Sequence, residues 1–267
     1  MDNIKISDKE FLELKQIIFQ KSGIHIDTDD INHIKNKLID RLIYNNFKTF
    51  REYCNYLIKN SDELQIMINN ITINETYFFR ERKHFEFLVD IILPTVKYNT
   101  FRCWSAAGSN GAEAYSIAMK IDSTLSTYQN WEIITSDINS DVLEIAKNGI
   151  YPLKYSKRIP IEYLKKYCLK GQNEDEGFFK IDQKLKKRIS FKHINLLNIL
   201  DNTLGEFDLI LLRNIIIYFD DKEKSIIIHN VLKHLKKGGY LFMGHSESLY
   251  RITNKVVQIR PSIYQKL

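Results

Sequence analysis

From about residue 99 onward, short apolar runs alternate with segments whose apolar residues recur at helical spacing. The runs predict strands over Phe101–Ala106, Trp131–Ser136, Ile189–Ile194, Phe207–Leu212 and Tyr240–Gly244, with Val256–Ile263 as a candidate last strand. The intervening patterns predict helices over Ala112–Ile121, Asp141–Lys147 and Lys222–Leu235. This β-α-β-α order predicts an α/β fold, an open and mostly parallel sheet with helices on both faces.

The chain before this point carries helical patterns and no strand signal. A Ser7-x-x-Glu10 capping box opens the first of four predicted helices, which ends at a turn at Gly23. We therefore predict an all-α N-terminal domain over residues 1–73, a linker and helix over 74–99, and the α/β domain over 100–267.

Residues 151–188 break the alternation and predict an inserted subdomain, with Phe178–Ile181 as a short strand. The segment 147–192 carries thirteen basic and five acidic side chains, a balance of +8, whereas the whole chain has a net charge of +6. A basic patch attracts anionic partners. A solvated basic face without a dedicated partner explains the charge equally well.

Several classes of protein are excluded. Three scattered cysteines without CxxC spacing argue against a disulfide framework and a structural zinc site. The sequence contains no HxxxH or HExxH pair that would indicate a metal site. Arg213 interrupts the longest apolar stretch, 209–219, which argues against a membrane-spanning helix. The first residues lack the pattern of a signal peptide, so we expect a soluble cytoplasmic protein.

Two features at predicted strand ends indicate a nucleoside pocket. The first strand ends in a turn of small residues with Gly108-x-x-Gly111 spacing, which differs from the NAD and ATP motifs. A tight turn without a ligand explains this spacing about as well. The second strand ends at Asp137, which either accepts hydrogen bonds from ribose hydroxyls or caps the next helix.

Two further segments bring polar groups to the same edge. Asn74, Thr76 and Arg80 flank three consecutive aromatic residues. Either the aromatics form a plug between domains and Arg80 pairs with an acid, or the three polar residues lie over a ligand whose carboxylate the guanidinium binds. Arg213 and Asn214 follow a buried strand, where unpartnered polar groups are costly. Tyr218 is either a pocket residue or a core aromatic.

Six blocks carry a resemblance to a known family. They are Asn74-Glu-Thr-Tyr-Phe-Phe-Arg-Glu, Trp104-Ser-Ala-Ala-Gly-Ser-Asn-Gly-Ala-Glu-Ala-Tyr-Ser, Ser136-Asp-Ile-Asn, Asn195-Leu-Leu, Arg213-Asn-Ile-Ile-Ile-Tyr-Phe and Gly244-His-Ser-Glu-Ser-Leu. In this order they resemble the CheR family, chemotaxis methyltransferases that use S-adenosylmethionine to methylate glutamates of chemoreceptors. The helical module resembles the N-terminal domain of the same family.

The resemblance implies a Rossmann-like class I methyltransferase domain with a small inserted antiparallel β-subdomain, preceded by an all-α domain that recognises the receptor. It implies that the cofactor is contacted by Asn74, Thr76, Arg80, Glu113, Asp137, Asn195, Leu196, Arg213 and Asn214. Arg80, near the methionine carboxylate, and Tyr218, near the transferred methyl group, would be the catalytic residues. Asp137 would hold the ribose, and no metal is implied.

The sequence departs from the family at four positions. The family usually carries Cys where Gly108 stands, Thr at Asn110, Glu at Ala112 and Pro at Ala114. The first difference changes the pocket wall and the others change the start of the following helix, so they bear on cofactor affinity rather than on cofactor identity.

The implied products are a glutamate methyl ester and S-adenosylhomocysteine. The implied partners are the acidic helices of chemoreceptor cytoplasmic domains, which Lys35, Lys37 and Arg41 and the basic insertion would meet. A receptor C-terminal peptide could add a strand beside the loop 171–177. Two alternatives stay open, a methyltransferase acting on RNA or a small molecule and a non-catalytic cofactor sensor. No RNA-binding signature is present, so we expect no nucleic-acid partner.

Overall fold

The computed structural model describes residues 4–97, 99–126 and 129–267. The first three residues of the predicted N-terminal domain, residue 98 of the predicted linker and residues 127–128 of the predicted α/β domain lie outside the described residues. Four helices come first, α1 (Asp8–Ser22), α2 (Ile31–Tyr44), α3 (Phe50–Leu57) and α4 (Ser61–Ile71). They bury a separate apolar core that includes Leu14, Ile18, Leu38, Leu42, Phe50 and Tyr53.

Side-chain caps fix where three of these helices, α1, α3 and α4, begin. Ser7 and Glu10 form the predicted capping box at α1, and Thr49 and Glu52 form a second box at α3. Gly23 ends α1 in a left-handed conformation at φ 73°, which a glycine adopts without strain.

A connecting helix, α5 (Arg82–Phe87), continues as a π-helical turn over Leu88–Ile92. Two of the three aromatic residues before it, Phe78 and Phe79, belong to the apolar core of the sheet domain rather than to the space between the two domains. Phe78 packs edge-on against Tyr151 with ring centroids 5.1 Å apart. The interpretation of the aromatics as a plug between domains is therefore wrong for Phe78 and Phe79.

The central sheet has seven strands. Its members are β1 (Phe101–Ala106), β2 (Trp131–Asp137), β6 (Ile189–His193), β7 (Phe207–Leu212), β8 (Leu235–Met243), β9 (Val256–Arg260) and β10 (Ile263–Lys266), in the order β6-β2-β1-β7-β8-β10-β9. The pairs from β6 to β8 are parallel, and β10 is antiparallel to both neighbours. The predicted last strand is thus two strands, because the chain turns at Pro261 and Ser262, the latter at φ 57°.

Helices cover both faces of this sheet. They include α6 (Ala112–Thr124), α7 (Ser140–Asn148) and α10 (Asp221–Lys233). Two apolar clusters lie on opposite faces, one with the inner side of α6 and the other with that of α10. The predicted Rossmann-like architecture is confirmed. β1 lies at the point where the strand order reverses, the usual place for a ligand in such sheets.

The insertion carries its own small sheet of β3 (Ile150–Pro152), β4 (Cys168–Lys170) and β5 (Phe178–Ile181), paired antiparallel in the order β3-β5-β4. Two short helices, α8 (Ile161–Tyr167) and α9 (Gln183–Lys186), accompany it. The predicted antiparallel subdomain is therefore present, and its first strand begins at Ile150. No helix of residues 4–97, 99–126 and 129–267 combines the length and apolar character that a membrane crossing requires.

Candidate active site

One pocket of about 810 Å³ opens at the carboxyl ends of β1, β2 and β7, and the helical domain forms its opposite wall. The volume is in the range of sites that enclose a nucleoside-sized ligand. Every site residue predicted from the sequence lines it, namely Asn74, Thr76, Arg80, Glu113, Asp137, Asn195, Leu196, Arg213, Asn214 and Tyr218. The fold thus gathers residues from five separate segments into one cavity.

The turn after β1 brings its backbone close to the pocket. Ala107 and Ser109 both have positive φ, at 98° and 50°, a conformation that costs free energy outside glycine. A Cβ on Gly108 would lie 2.0 Å from Thr135 Oγ1, so the threonine of β2 occupies the space that a side chain at 108 would need. This packing accounts for the glycine at position 108.

Asp137 is held at the end of β2 by backbone donors. The N–H of Ser109 donates to Oδ2 and the N–H of Asn139 donates to Oδ1, each at 2.9 Å. Burial raises the pKa of the Asp137 carboxyl and outweighs the opposing effect of these hydrogen bonds. The next helix, α7, is capped by the side chain of Asn139, so Asp137 is not its cap. Its carboxylate retains acceptor capacity toward the pocket.

A buried ion network lies below the turn. Arg213 Nη1 contacts Glu113 Oε2 at 2.8 Å, and Arg213 Nη2 contacts Glu81 Oε2 at 3.1 Å. Ser105 Oγ donates to the other oxygen of Glu113 at 2.6 Å. Burial alone would raise the pKa of Glu81, but the guanidinium of Arg213 holds it below the usual range. Arg213 therefore fixes Glu113 at the pocket wall.

Arg80 is positioned differently from Arg213. Its guanidinium donates to the carbonyl of Glu75 at 3.2 Å and lies 5.7 Å from the ring of Tyr77. In the described part of the chain no carboxylate lies within ion-pair distance of it, whereas Arg213 has two. Arg80 is thus a pocket cation with capacity for an external carboxylate.

Glu247 shapes the loop that carries Arg213, Asn214 and Tyr218. Its Oε1 accepts from the backbone N–H groups of Ile215 and Ile216 at 2.8 and 2.9 Å. Its Oε2 accepts from the N–H groups of Asn214 and Gly244, both at 2.7 Å. Asn214 has φ 57°, and this carboxylate stabilises the strained turn.

Tyr218 is half-buried and faces the pocket, so the interpretation as a core aromatic is wrong. The amide of Asn195 donates to the carbonyl of Lys21 at 3.0 Å and so links the pocket to the end of α1. Sequence reasoning missed the helical wall, which includes Ile24, His25, Ile26, His33 and Ile34. It also assigned no role to Glu247, although the motif Gly244-His-Ser-Glu-Ser contains it.

Two family models of known proteins match the sequence of this chain. The model "CheR methyltransferase, SAM binding domain" matches residues 74–264, and "CheR methyltransferase, all-alpha domain" matches residues 9–72. The chain belongs to the CheR methyltransferase family. It is therefore an enzyme that uses S-adenosylmethionine for methylation in chemotaxis, as its sequence motifs predicted.

Curated relatives of the CheR family match over nearly their whole length. The chemotaxis protein methyltransferase of Escherichia coli (strain K12) is 35% identical over 98% of this chain and 92% of that protein. That of Salmonella typhimurium is 35% identical over 94% and 88%, and that of Borreliella burgdorferi is 35% identical over 99% and 96%. The similarity thus extends over both the helical and the sheet domains.

Proposed function

We propose that this chain methylates glutamate side-chain carboxylates of chemoreceptors, giving glutamate methyl esters and S-adenosylhomocysteine. The observation that carries the proposal is the convergence of Asp137, Glu113 and Arg80 on one pocket at the switch point of the sheet. The names of the relatives, chemotaxis protein methyltransferases, support the same substrate class.

The pocket residues suit S-adenosylmethionine chemically. Asp137 would accept hydrogen bonds from the two ribose hydroxyls, since backbone donors hold each of its oxygens in place. Glu113 would accept from the methionine ammonium, and Arg80 would donate to the methionine carboxylate. The remaining contacts would come from Asn74, Thr76, Asn195, Leu196, Arg213 and Asn214, with the apolar Leu196 against the adenine.

The cofactor, when bound, would supply a sulfonium methyl group. A substrate carboxylate oxygen would attack the methyl carbon in line, and the sulfur would leave as S-adenosylhomocysteine. A glutamate has an ordinary pKa of about 4.3 and is anionic at neutral pH, so the reaction needs no general base. The protein must align the two groups and exclude water, and alignment can contribute roughly 7–11 kcal/mol in favourable cases. Arg80 would offset negative charge as the substrate carboxylate approaches, and Tyr218 would border the methyl group.

We divide the chain into a receptor-recognition domain over 1–73, a segment with cofactor contacts over 74–99, and a methyltransferase domain over 100–267 with the insertion near 151–188. The basic insertion would meet the acidic helices of receptor cytoplasmic domains, so the enzyme would act in the cytoplasm. Of the three basic residues proposed for α2, Lys37 donates to the carbonyl of Ile71 at 3.0 Å and Arg41 pairs with Glu63. Among these three, this leaves Lys35 as the best candidate for a receptor contact.

A receptor C-terminal peptide is a second, separate partner for the insertion. The strand β4 lies at an edge of the small sheet, next to the loop 171–177, and an extended peptide could pair with it. Calorimetric titration with receptor C-terminal pentapeptides tests this, and the absence of heat would contradict it.

The experiment for the main proposal is transfer of radiolabelled methyl groups from S-adenosylmethionine to purified receptor cytoplasmic fragments. We expect the label to be released as methanol by alkali, as a carboxyl methyl ester requires. A base-stable product would indicate a different methyltransferase, and cofactor binding without turnover on receptors would indicate a sensor.

Two variants test the residue roles in the same assay. Asp137→Ala and Arg80→Ala should abolish methylation while circular dichroism shows a folded protein. Near-normal activity of either variant would remove that residue from the mechanism.

A further inference from the structure

Three side chains from the two domains meet at the rim of the pocket. His25 lies between α1 and α2, while Asp220 caps α10 and Glu223 lies in its first turn. The Nε2 atom of His25 lies 3.2 Å from Asp220 Oδ2 and 3.5 Å from Glu223 Oε2. One nitrogen and two carboxylate oxygens thus converge across the domain boundary.

The carboxylate of Glu223 is the unusual member. The residue is 5% exposed, and its Oε2 is buried without a hydrogen-bond partner in the described part of the chain. A buried charged oxygen that lacks a partner carries a large desolvation cost. The orphaned oxygen faces His25 Nε2 at 3.5 Å, so the two atoms could share a cation.

Asp220 uses one carboxylate oxygen to cap α10 and presents the other to the same histidine. Its Oδ1 accepts from the backbone N–H groups of Lys222 and Glu223, at 3.0 and 3.1 Å, which holds the carboxylate in place. Its Oδ2 faces His25. A protonated His25 has a single N–H at Nε2 and could satisfy only one of the two carboxylates. A metal ion would satisfy both at once.

The distances match metal coordination. Bonds of about 2.0–2.2 Å from Zn²⁺ to nitrogen and oxygen, at a tetrahedral angle, place two donor atoms about 3.4 Å apart. The contacts here are 3.2 and 3.5 Å. A ligand set of one imidazole and two carboxylates suits Zn²⁺ and its first-row neighbours, whereas Mg²⁺ and Ca²⁺ prefer oxygen ligands alone.

We propose that His25, Asp220 and Glu223 bind a divalent transition-metal cation, Zn²⁺ being the type ion, which links the helical domain to the methyltransferase domain. A water molecule would complete the coordination. Because Asp220 follows Tyr218 and Phe219 of the pocket wall, the bound ion would fix this segment against the helical domain. The ion takes no part in methyl transfer.

A second histidine cluster differs in one decisive respect. Glu81, His84 and His245 also lie close together, but the guanidinium of Arg213 already pairs with Glu81 at 3.1 Å. A metal ion there would face a fixed positive charge at short range. This second cluster therefore provides a control for the experiment.

The test is calorimetric titration of the metal-free full chain with ZnCl₂, in a non-chelating buffer at about pH 7.5, since metal binding requires deprotonated ligands. We expect one equivalent to bind. His25→Gln and Glu223→Gln should each weaken binding by more than about 10–100-fold, the range lost when only an outer partner of a ligand is removed. The controls are His229→Gln, an exposed histidine on α10, and His245→Gln, and both should bind as the wild type does.

Two independent readouts accompany the titration. Co²⁺ bound at a four-coordinate site should give intense visible absorption, which His25→Gln should remove. Zn²⁺ should raise the melting temperature of the wild type and leave that of Glu223→Gln unchanged. Without metal, Glu223→Gln should be at least as stable as the wild type, because the substitution removes an orphaned charge.

The absence of zinc binding, or binding that His245→Gln removes and His25→Gln does not, would overturn the proposal. If His25 acts only as a protonated partner of the two carboxylates, zinc should leave the melting temperature unchanged, and that result would also overturn it.

Discussion

Replacing Glu247 with glutamine tests how the loop of Arg213 and Asn214 is held. The carboxylate accepts four backbone hydrogen bonds, two on each oxygen, at 2.7–2.9 Å. Glutamine has one carbonyl oxygen, so its NH₂ group must face two of the four N–H donors. Each buried donor left without an acceptor costs about 1–3 kcal/mol, so we expect the free energy of unfolding to fall by about 2–6 kcal/mol.

The cost of burying the charge of Glu247 partly offsets this expected loss of stability. Burial raises the pKa of this carboxyl despite the four donors, so removing the charge recovers part of the loss. We therefore expect a value toward the lower end of the range. Urea unfolding with linear extrapolation measures it, and calorimetry with S-adenosylhomocysteine should show weakened binding because Asn214 relaxes from its left-handed conformation.

The matched control is Glu162→Gln, the same chemical change at an exposed position on α8. It should alter the free energy of unfolding by less than about 0.5 kcal/mol. The reasoning is refuted if Glu247→Gln is as stable as this control and binds the cofactor product equally well.

Three further predictions concern other parts of the site, and urea unfolding measures each of them. Burial and Arg213 lower the pKa of His84 to about 3, so from about pH 7.5 to 5 the wild type should lose about 2 kcal/mol more stability than His84→Gln. Parallel pH profiles would contradict this. Gly108→Ala should lower the free energy of unfolding by about 1–3 kcal/mol because the new methyl group crowds Thr135. Adding Thr135→Ala to this variant should recover part of the loss. A Gly108→Ala variant as stable as the wild type would contradict the packing. Arg213→Met should lower the free energy of unfolding by about 3–5 kcal/mol because it leaves the largely buried carboxylates of Glu81 and Glu113 without their cation. A loss below about 1 kcal/mol would contradict that role.

Most of the fold could be predicted from the alternation of strand and helix patterns and from the short motifs. Phe101–Ala106, Phe178–Ile181 and Phe207–Leu212 match the observed strands residue for residue. Apolar runs of this length suit a strand and are too short for a typical buried helix. The prediction failed at β9 and β10, because Val256–Ile263 was taken as one strand although it contains Pro261 and Ser262, where the chain turns. It also placed the end of α10 at Leu235, which instead begins β8.

The site was predictable where it depends on strand ends. The position of Asp137 at the edge of the sheet follows from the length of β2 alone. The contribution of His25 depends on how the helical domain docks, through contacts such as that of Asn139 Nδ2 with Thr72 Oγ1 at 2.7 Å. No local periodicity encodes a contact between residues so far apart in the chain. Glu247 was missed for a related reason, since an acid between two serines has the pattern of an exposed turn.

Titration of the wild type and of Asp137→Ala with S-adenosylhomocysteine tests the central claim most directly. The wild type should bind one equivalent, and Asp137→Ala, folded by circular dichroism, should show at least about a tenfold loss of affinity, the value of one lost charge-assisted hydrogen bond. Equal affinity of the two proteins would contradict the assignment of this pocket to the nucleoside.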